Sequence, residues 1–223
     1  MLITIEGVIS PEEVVAARAF MAQGEFKDGT LSAGKMAEGV KQNLELNQGS
    51  DIFNRLNAVV FDKLLRHPEF QAAALPNKTA APFYWRYGKG MGFGAHVDNP
   101  LMGSGPYLRT DVSCTLFLSD PDSYEGGELC VMTEFGEQQV KLAAGGAVVY
   151  PSSSLHHVAE VTDGERQALV VWLQSCVRDP AKREILYRIW QSRESLLATN
   201  PEGEDAQRID LVYANLVRMW AEV

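Results

Sequence analysis

The chain has 223 residues, of which 46% are hydrophobic and 22% charged, the composition of an ordinary globular protein. Its 29 acidic and 20 basic side chains give a net charge of −9, which works against binding to nucleic acid or to an anionic membrane surface. No apolar run approaches the roughly 18 residues of a membrane span, and the N-terminus lacks the segments of a leader peptide, so an unprocessed soluble protein is expected.

The first 77 residues are predicted to form a mainly helical region. Ser10-Pro11-Glu12-Glu13 combines a capping serine, a proline at the first helical position and a capping-box glutamate, and so predicts a helix to about Ala22. The polar, glycine-rich stretch 24–49 has no sustained period and is expected to be a long, partly ordered loop. From Asp51, apolar residues at helical spacing predict a second helix that ends near Pro68, because the residue before a proline avoids the helical region.

Residues 78–176 are predicted to form a β-barrel. Val112–Leu118 shows the two-residue alternation of a strand with two distinct faces. Glycines separate several such short runs, and this density of strands over about 90 residues predicts a sandwich or a squat barrel. The runs are Phe83–Tyr87, Gly92–Val97, Val112–Leu118, Glu128–Thr133, Gln139–Leu142, Ala147–Tyr150 and Ala168–Leu173.

Residues 177–223 are predicted to form a C-terminal helical extension. Asp179-Pro180 is a helix start, and apolar residues at helical spacing between Ile209 and Trp220 mark another helix. The aromatic residues Trp190, Tyr213 and Trp220 are expected in the core or at a subunit interface, so a homodimer is a reasonable expectation.

Two histidines and an aspartate are the candidate metal ligands. His96 and Asp98 lie two positions apart on a predicted strand, so their side chains point the same way. A histidine that is only hydrogen-bonded to a nearby acid gives the same pattern. His156 lies on a later strand, and a closed barrel brings early and late strands together. Two imidazoles and one carboxylate form the facial triad of non-haem Fe(II) oxygenases. Zinc also suits these groups, but the metalloprotease pattern of two histidines on one helix turn is absent.

Strand geometry alone leaves open which of His156 and His157 faces the metal. Neighbouring residues of a strand point to opposite faces, so only one of the two can do so. A two-residue turn at Asp163-Gly164 would place Arg166 on the face of His157, whereas a three-residue turn ending at Glu165 favours His156.

Arg166 is the candidate anchor for an anionic co-substrate. It lies ten residues beyond His156, at the beginning of a predicted strand. A guanidinium that projects into a barrel needs an anion, and its fork matches a carboxylate at two points, so a dicarboxylate would satisfy it. The alternative is a surface arginine beside a hairpin turn.

Several motifs occur together in order along most of the chain, and with them the sequence resembles the PKHD-type hydroxylases, a bacterial branch of the prolyl 4-hydroxylase-like Fe(II)/2-oxoglutarate dioxygenases. The N-terminal loop Asp28–Gly34, with Lys41 and Asn43, is similar to that family as well. The motifs are Arg86–Asp98, Arg109–Ser113, Tyr124–Leu129, Ser152–His156 and Val161–Arg166.

The resemblance implies a double-stranded β-helix, that is, a jelly-roll barrel, with the N-terminal helices packed on one sheet and the C-terminal helices added. It implies His96, Asp98 and His156 as iron ligands, since the Ser-Leu-His motif selects His156 over its neighbour, and Arg166 as the anchor of the 2-oxoglutarate carboxylate. Tyr87 matches a tyrosine that in related enzymes also hydrogen-bonds the co-substrate. The alternative is an aromatic side chain packed in the core. Ascorbate is implied as the reductant that keeps the iron ferrous.

The expected reaction is hydroxylation of an unactivated C–H bond with O₂ and 2-oxoglutarate, releasing succinate and CO₂. A barrel that senses 2-oxoglutarate without hydroxylation would keep the same ligands, and a zinc hydrolase would leave Arg166 unexplained. A protein side chain, a free amino acid and an iron-chelating metabolite are the open substrate classes. Residues 24–49 and 99–106 are expected to select among them, because loops at a barrel mouth carry specificity.

The cysteines indicate the compartment. Cys114, Cys130 and Cys176 form no CxxC pair and are odd in number, which suits a reducing environment better than a disulfide scaffold. A cytoplasmic enzyme with small-molecule co-substrates is therefore expected, without a nucleic-acid or membrane partner.

Overall fold

Two antiparallel β-sheets face each other in the computed structural model of the chain, which describes residues 1–32 and 39–222. The part of the N-terminal loop motif that contains Ala33 and Gly34 lies outside the described residues. The strands are β1 (Ile3–Ile5), β2 (Phe26–Asp28), β3 (Lys41–Gln42), β4 (Leu44–Leu46), β5 (Pro76–Thr79), β6 (Phe83–Tyr87), β7 (Gly92–His96), β8 (Leu101–Met102), β9 (Leu108–Arg109), β10 (Val112–Phe117), β11 (Tyr124–Gly126), β12 (Leu129–Thr133), β13 (Gly136–Val140), β14 (Ala147–Pro151), β15 (His156–Val158), β16 (Val161–Gly164) and β17 (Arg166–Ser175).

The helices lie before and after the strand-rich region. They are α1 (Pro11–Gln23), α2 (Asp51–Leu56), α3 (Asp62–Arg66), α4 (Pro68–Ala74), α5 (Pro180–Thr199) and α6 (Glu204–Trp220). A π-helical turn, Asn57–Phe61, joins α2 to α3 without a break. The predicted second helix therefore runs from Asp51 to Arg66. None of the helices in the described ranges has the length and apolarity that a bilayer span requires.

The sheet order is that of a double-stranded β-helix, as expected. The larger sheet runs β1-β14-β10-β17-β6-β4-β2, with β5 also paired to β17. The smaller sheet runs β13-β12-β15-β7-β3, and β11-β16 and β8-β9 form two short ribbons. Apart from the hairpin of β12 and β13, the neighbouring strands of the two sheets are not consecutive in the chain, so the barrel brings together residues that are far apart in sequence.

The two faces of the larger sheet bury different cores. On β17, Leu169, Val171 and Leu173 point to the helical side, where they join Val14, Ala17 and Met21 of α1 and apolar residues of α2 to α4 in one cluster. Val170 and Trp172 alternate with them and point between the sheets. This alternation explains why β17 reads as a nearly continuous apolar run, since both of its faces are covered.

The stretch 24–49 contains more regular structure than the predicted loop. β2 pairs with β4, β4 pairs with β6 at the edge of the larger sheet, and β3 pairs with β7 at the edge of the smaller one. These strands have only two or three residues each, which is too short to show a period in the sequence. The sequence also failed to predict β1, at the opposite edge of the larger sheet, because this strand has only three residues.

The C-terminal helices are tied to the barrel by polar contacts. The side chain of Asp179 caps α5 as predicted. Arg183 is buried and donates to the carbonyl oxygens of Val177, Arg178 and Asp111, and the Tyr187 hydroxyl donates to Glu69 on α4 at 2.5 Å. The extension is therefore anchored both to the sheet region and to the N-terminal helices.

The capping box of α1 provides a test of this local chemistry. The Ser10 side chain accepts from the Glu13 amide while the Glu13 carboxylate accepts from the Ser10 amide. Ser10→Ala is expected to lower the free energy of unfolding by about 1 kcal/mol in urea denaturation, because one helix-end amide loses its acceptor. Ser192→Ala, on the exposed face of α5, is the control and should change it by less than about 0.5 kcal/mol. An equal effect of both changes would contradict the capping assignment.

Candidate active site

His96, Asp98 and His156 converge between the two sheets. His96 ends β7 and His156 begins β15, and the two residues are direct partners in the antiparallel pairing of these strands. The Nε2 atoms of both histidines lie 3.8 Å from Asp98 Oδ1. One ligand atom from each side chain lies within 4.8 Å of the others, so the three predicted residues form a single cluster.

Backbone carbonyls orient both imidazole rings. His96 Nδ1 lies 2.8 Å from the carbonyl oxygen of Gly94, and His156 Nδ1 lies 2.9 Å from that of Ser154. Because a carbonyl oxygen only accepts, the proton of each ring is held at Nδ1. Each Nε2 therefore turns its lone pair towards Asp98, the arrangement in which histidine binds a metal.

A serine holds the carboxylate in place. The Ser113 hydroxyl donates to Asp98 Oδ2 at 2.6 Å and lies 2.8 Å from the hydroxyl of Ser152. With Oδ2 occupied, Oδ1 remains to face the histidines. The sequence prediction missed Ser113 as a functional residue, although it is the last residue of a motif, Arg109–Ser113, that carries the resemblance.

The cluster is shielded from water. The side chains of His96, Asp98 and His156 are 8%, 4% and 6% exposed. Burial, and then the charge of neighbouring His156, lower the pKa of His96 below its ordinary value. His96 is therefore neutral at physiological pH and available as a ligand.

The structure places His156 inside the barrel and His157 outside. His157 pairs with Cys130 of β12 and its Nδ1 lies 3.9 Å from Glu137 on the outer face of the smaller sheet. The sequence argument assumed a hairpin turn at residues 163–165, whose length would decide between the two histidines, but these residues do not form that hairpin. Residues 161–164 form β16, which pairs with β11 and not with β17, so the parity argument does not apply.

Arg166 is buried in the same cavity, so the alternative of a surface arginine is wrong. It begins β17, is 1% exposed and pairs with Tyr87 of β6. Its guanidinium lies 5.1 Å from the ring centre of Tyr87 and 5.4 Å from that of Phe117. Among the described residues, no side chain or carbonyl accepts a hydrogen bond from its Nε or Nη1 atom. A buried guanidinium with unsatisfied donors is chemically suited to bind an anion.

Two phenols accompany Arg166. The hydroxyls of Tyr87 and Tyr124 are buried, and neither has a partner at full hydrogen-bonding geometry within the described part of the chain, although Asn43 lies beside the first and Arg166 beside the second. Burial raises the pKa of both groups, against the opposing charge of Arg166, so both are protonated donors at neutral pH. Tyr87 was predicted at this position, whereas Tyr124 was not, although it opens a motif of the resemblance, Tyr124–Leu129.

The ligand cluster and Arg166 line one small cavity between the sheets. Mainly aromatic and aliphatic side chains from both sheets form the rest of its wall, so a few polar groups face a largely apolar space. The lining residues are Trp85, Phe93, His96, Asp98, Thr115, Leu129, Tyr150, His156, Val158, Arg166, Val170 and Trp172.

Arg109 and Asp111 belong to the scaffold. The Arg109 side chain donates from Nε to Asp111 Oδ1 at 2.8 Å and from Nη2 to Oδ2 at 3.0 Å. Asp111 Oδ2 also accepts from the backbone amide of Ser175. This pair joins the segment before β10 to the end of β17 and lies apart from the cavity lining.

Comparison with known proteins gives one family. A model of the 2OG-Fe(II) oxygenase superfamily matches residues 82–174, which include all five predicted site residues. The chain is 51% identical to a PKHD-type hydroxylase of Thioalkalivibrio sulfidiphilus, with 100% of both chains covered. It is 43% identical to one of Klebsiella pneumoniae, covering 98% of this chain and 99% of the relative.

Solved structures show the same fold at low identity. A Pseudomonas putida prolyl-4-hydroxylase matches with a TM-score of 0.55 at 18% identity, over 78% of this chain and 92% of that one. HygX from Streptomyces hygroscopicus, with nickel, 2-oxoglutarate and hygromycin B bound, matches with a TM-score of 0.57 at 16% identity, over 78% and 82% of the two chains.

The buried charge of Arg166 predicts an unusual stability effect. In the protein without ligands, Arg166→Met replaces an unpaired buried cation by an apolar side chain of similar length and is expected to raise the free energy of unfolding by about 1–3 kcal/mol in urea denaturation. Arg188→Met, at a side chain that is 63% exposed, is the control and should change it by less than about 0.5 kcal/mol. A clear loss of stability in Arg166→Met would show that the guanidinium already has partners in the empty cavity.

Proposed function

The chain belongs to the PKHD-type hydroxylases, which are Fe(II)- and 2-oxoglutarate-dependent oxygenases, and we propose that its iron is held by His96, Asp98 and His156. The observation that carries this proposal is the convergence of two imidazole Nε2 atoms and one carboxylate oxygen beside a buried arginine with free donors. Two neutral nitrogen ligands and a carboxylate on one side of an ion suit Fe(II), and they leave the opposite positions for a co-substrate and O₂.

The residues present fit the group that the family implies. Both histidines are already turned by Gly94 and Ser154, and Ser113 already fixes the carboxylate, so the ligands need little rearrangement to bind a metal. Bound there, iron supplies the activation of O₂ that couples decarboxylation of 2-oxoglutarate to C–H hydroxylation. The protein contributes binding, orientation and the exclusion of water.

We assign the distal carboxylate of 2-oxoglutarate to Arg166, Tyr87 and Tyr124. The guanidinium supplies the opposite charge and two donors from a rigid fork, and the two protonated phenols add further donors. Binding would replace an unpaired buried cation by a compensated ion pair, which favours the dicarboxylate over neutral analogues of the same shape.

The aromatic wall protects the reacting centre. Trp85, Phe93 and Trp172 are each less than 9% exposed and line the cavity that contains the ligand cluster. In a water-excluded site, charge interactions are stronger and side reactions of a reactive oxidant with solvent are fewer. The hydroxylated C–H bond would belong to one of the three substrate classes left open by the sequence.

We further propose ascorbate as the reductant that returns the iron to its ferrous state, without a dedicated pocket, and a cytoplasmic location. The location is supported by the cysteines, since Cys114, Cys130 and Cys176 are free thiols in the structure. Both proposals follow the family and the composition of the chain rather than a particular contact.

The anchor predicts a kinetic signature that does not require the hydroxylated substrate. In uncoupled turnover of 2-oxoglutarate with Fe(II) and O₂, measured as succinate formed, Arg166→Ala is expected to raise the KM for 2-oxoglutarate at least about 30-fold, because a buried charge pair loses one partner. Arg109→Ala, which removes an arginine of the scaffold, should leave this KM within about twofold.

Other outcomes of the same assay identify the alternatives. Binding of 2-oxoglutarate without succinate formation under any condition would favour a sensor barrel. Retention of zinc, with ester or amide hydrolysis in the absence of O₂, would favour a hydrolase. An unchanged KM in Arg166→Ala would remove the assigned role of this residue.

A homodimer through the C-terminal helices is the remaining part of the proposal. Leu211, Val212 and Met219 of α6 are 62%, 46% and 72% exposed, which leaves apolar surface on this helix without a cover in the single chain. We expect the wild-type chain to elute as a dimer in size-exclusion chromatography at micromolar concentration and Leu211→Glu to elute as a monomer. Val15→Glu, at an exposed apolar position of α1, is the control and should remain dimeric. A monomeric wild type would contradict the proposal.

A further inference from the structure

A second set of metal-binding side chains lies on the outer face of the smaller sheet. Cys130, Glu137 and His157 come from β12, β13 and β15, three neighbouring strands. His157 is the residue next to His156, so one short strand presents one histidine to the cavity and the other to the outside. The proposed iron site does not use these residues.

The pairing of the strands places the three side chains together. Cys130 and His157 are direct partners across β12 and β15, and Glu137 lies two positions from Gln139, the partner of Cys130 on β13. His157 Nδ1 lies 3.9 Å from Glu137 Oε2, and one ligand atom of each residue lies within 4.8 Å of the other two. The ligand atoms of a tetrahedral zinc site are about 3.3–3.8 Å apart, given its bond lengths. A movement of about 1 Å closes the set, and the 38% exposed side chain of Glu137 has room to make it.

The surroundings favour a cation. Burial, and then the charges of Glu137 and Glu128, raise the pKa of the Cys130 thiol to about 11. The same carboxylates that disfavour the thiolate form of Cys130 attract a positive ion. A bound metal ion would lower the pKa of the thiol by displacing its proton. Solvent reaches the cluster from the side of His157 and Glu137, whose side chains are 33% and 38% exposed, whereas Cys130 is 2% exposed.

We propose that Cys130, Glu137 and His157 form a second metal site, selective for a thiophilic divalent ion such as Zn²⁺. Thiolate, imidazole and carboxylate are the three ligand types that zinc accepts, with water as the fourth ligand. The site differs in chemistry from the barrel cluster, which has no sulfur ligand and suits Fe(II). A metal here would join β13, β12 and β15 and so brace the strand that presents His156 to the cavity.

Co²⁺ titration of the metal-free, reduced full-length chain tests this site independently of the iron chemistry. A cobalt–thiolate bond gives an intense near-ultraviolet charge-transfer absorption. A cobalt ion bound by His96, Asp98 and His156 does not contribute to it, because these residues contain no sulfur. We expect the wild type to develop this absorption up to one equivalent of thiolate-bound cobalt, and Zn²⁺ to displace it. His156→Ala should retain the absorption, whereas Cys130→Ser should lose it.

The controls separate this site from the other thiols and from misfolding. Cys176→Ser, which removes a partly exposed thiol, should behave as the wild type. His157→Ala, at the surface, should fold normally and bind Co²⁺ at least about 10-fold more weakly in the same assay. The proposal is overturned if the wild type shows no thiolate absorption, if Cys130→Ser retains it, or if His157→Ala binds with unchanged affinity.

Discussion

The site depends on the antiparallel pairing of β15 with β7, which sets His156 directly opposite His96. The two residues are 60 positions apart in the chain, and only the crossover order of the smaller sheet makes their strands neighbours. Asp98 follows β7 and is held against both histidines by Ser113, which comes from the larger sheet. The proposed metal ligands are thus held in place by the contact between the sheets, and their geometry exists only in the closed barrel.

Burial gives the site its selectivity. Two imidazoles oriented by backbone carbonyls and one carboxylate oriented by a hydroxyl form a preorganised ligand set with an open side. Arg166 lies in the same cavity with donors that the described residues leave free, which is unfavourable in the empty protein and favourable once a carboxylate arrives. On the proposed assignment, the buried charge of Arg166 lowers the stability of the ligand-free state and favours an anionic co-substrate over a neutral one.

Local signals in the sequence predicted the local structure well. The sequence predicted the capping box of α1 and the alternation of β10, because each depends on residues close together in the chain. Its ordered motifs also assigned four residues to one site, and the structure brings them to one cavity: His96, Asp98, His156 and Arg166. Ser113 and Tyr124 were missed as functional residues, since a serine on a buried strand and a tyrosine after a turn have no distinctive pattern until the sheets bring them to Asp98 and Arg166. Strand parity could not choose between His156 and His157, because β16 pairs with β11 and not with β17, a long-range contact that turn rules cannot supply. The choice of His156 came from the Ser-Leu-His motif of the resemblance.

Anaerobic titration with Fe(II) and 2-oxoglutarate tests whether His156 holds the iron, because chelation of the ferrous ion by an oxoacid gives a weak visible charge-transfer band. We expect this band in the wild type, its loss in His156→Ala and its retention in His157→Ala, since only the first of these neighbouring histidines faces the cavity. Loss of the band in His157→Ala with retention in His156→Ala, or no band in the wild type, would show that the proposed iron site is wrong.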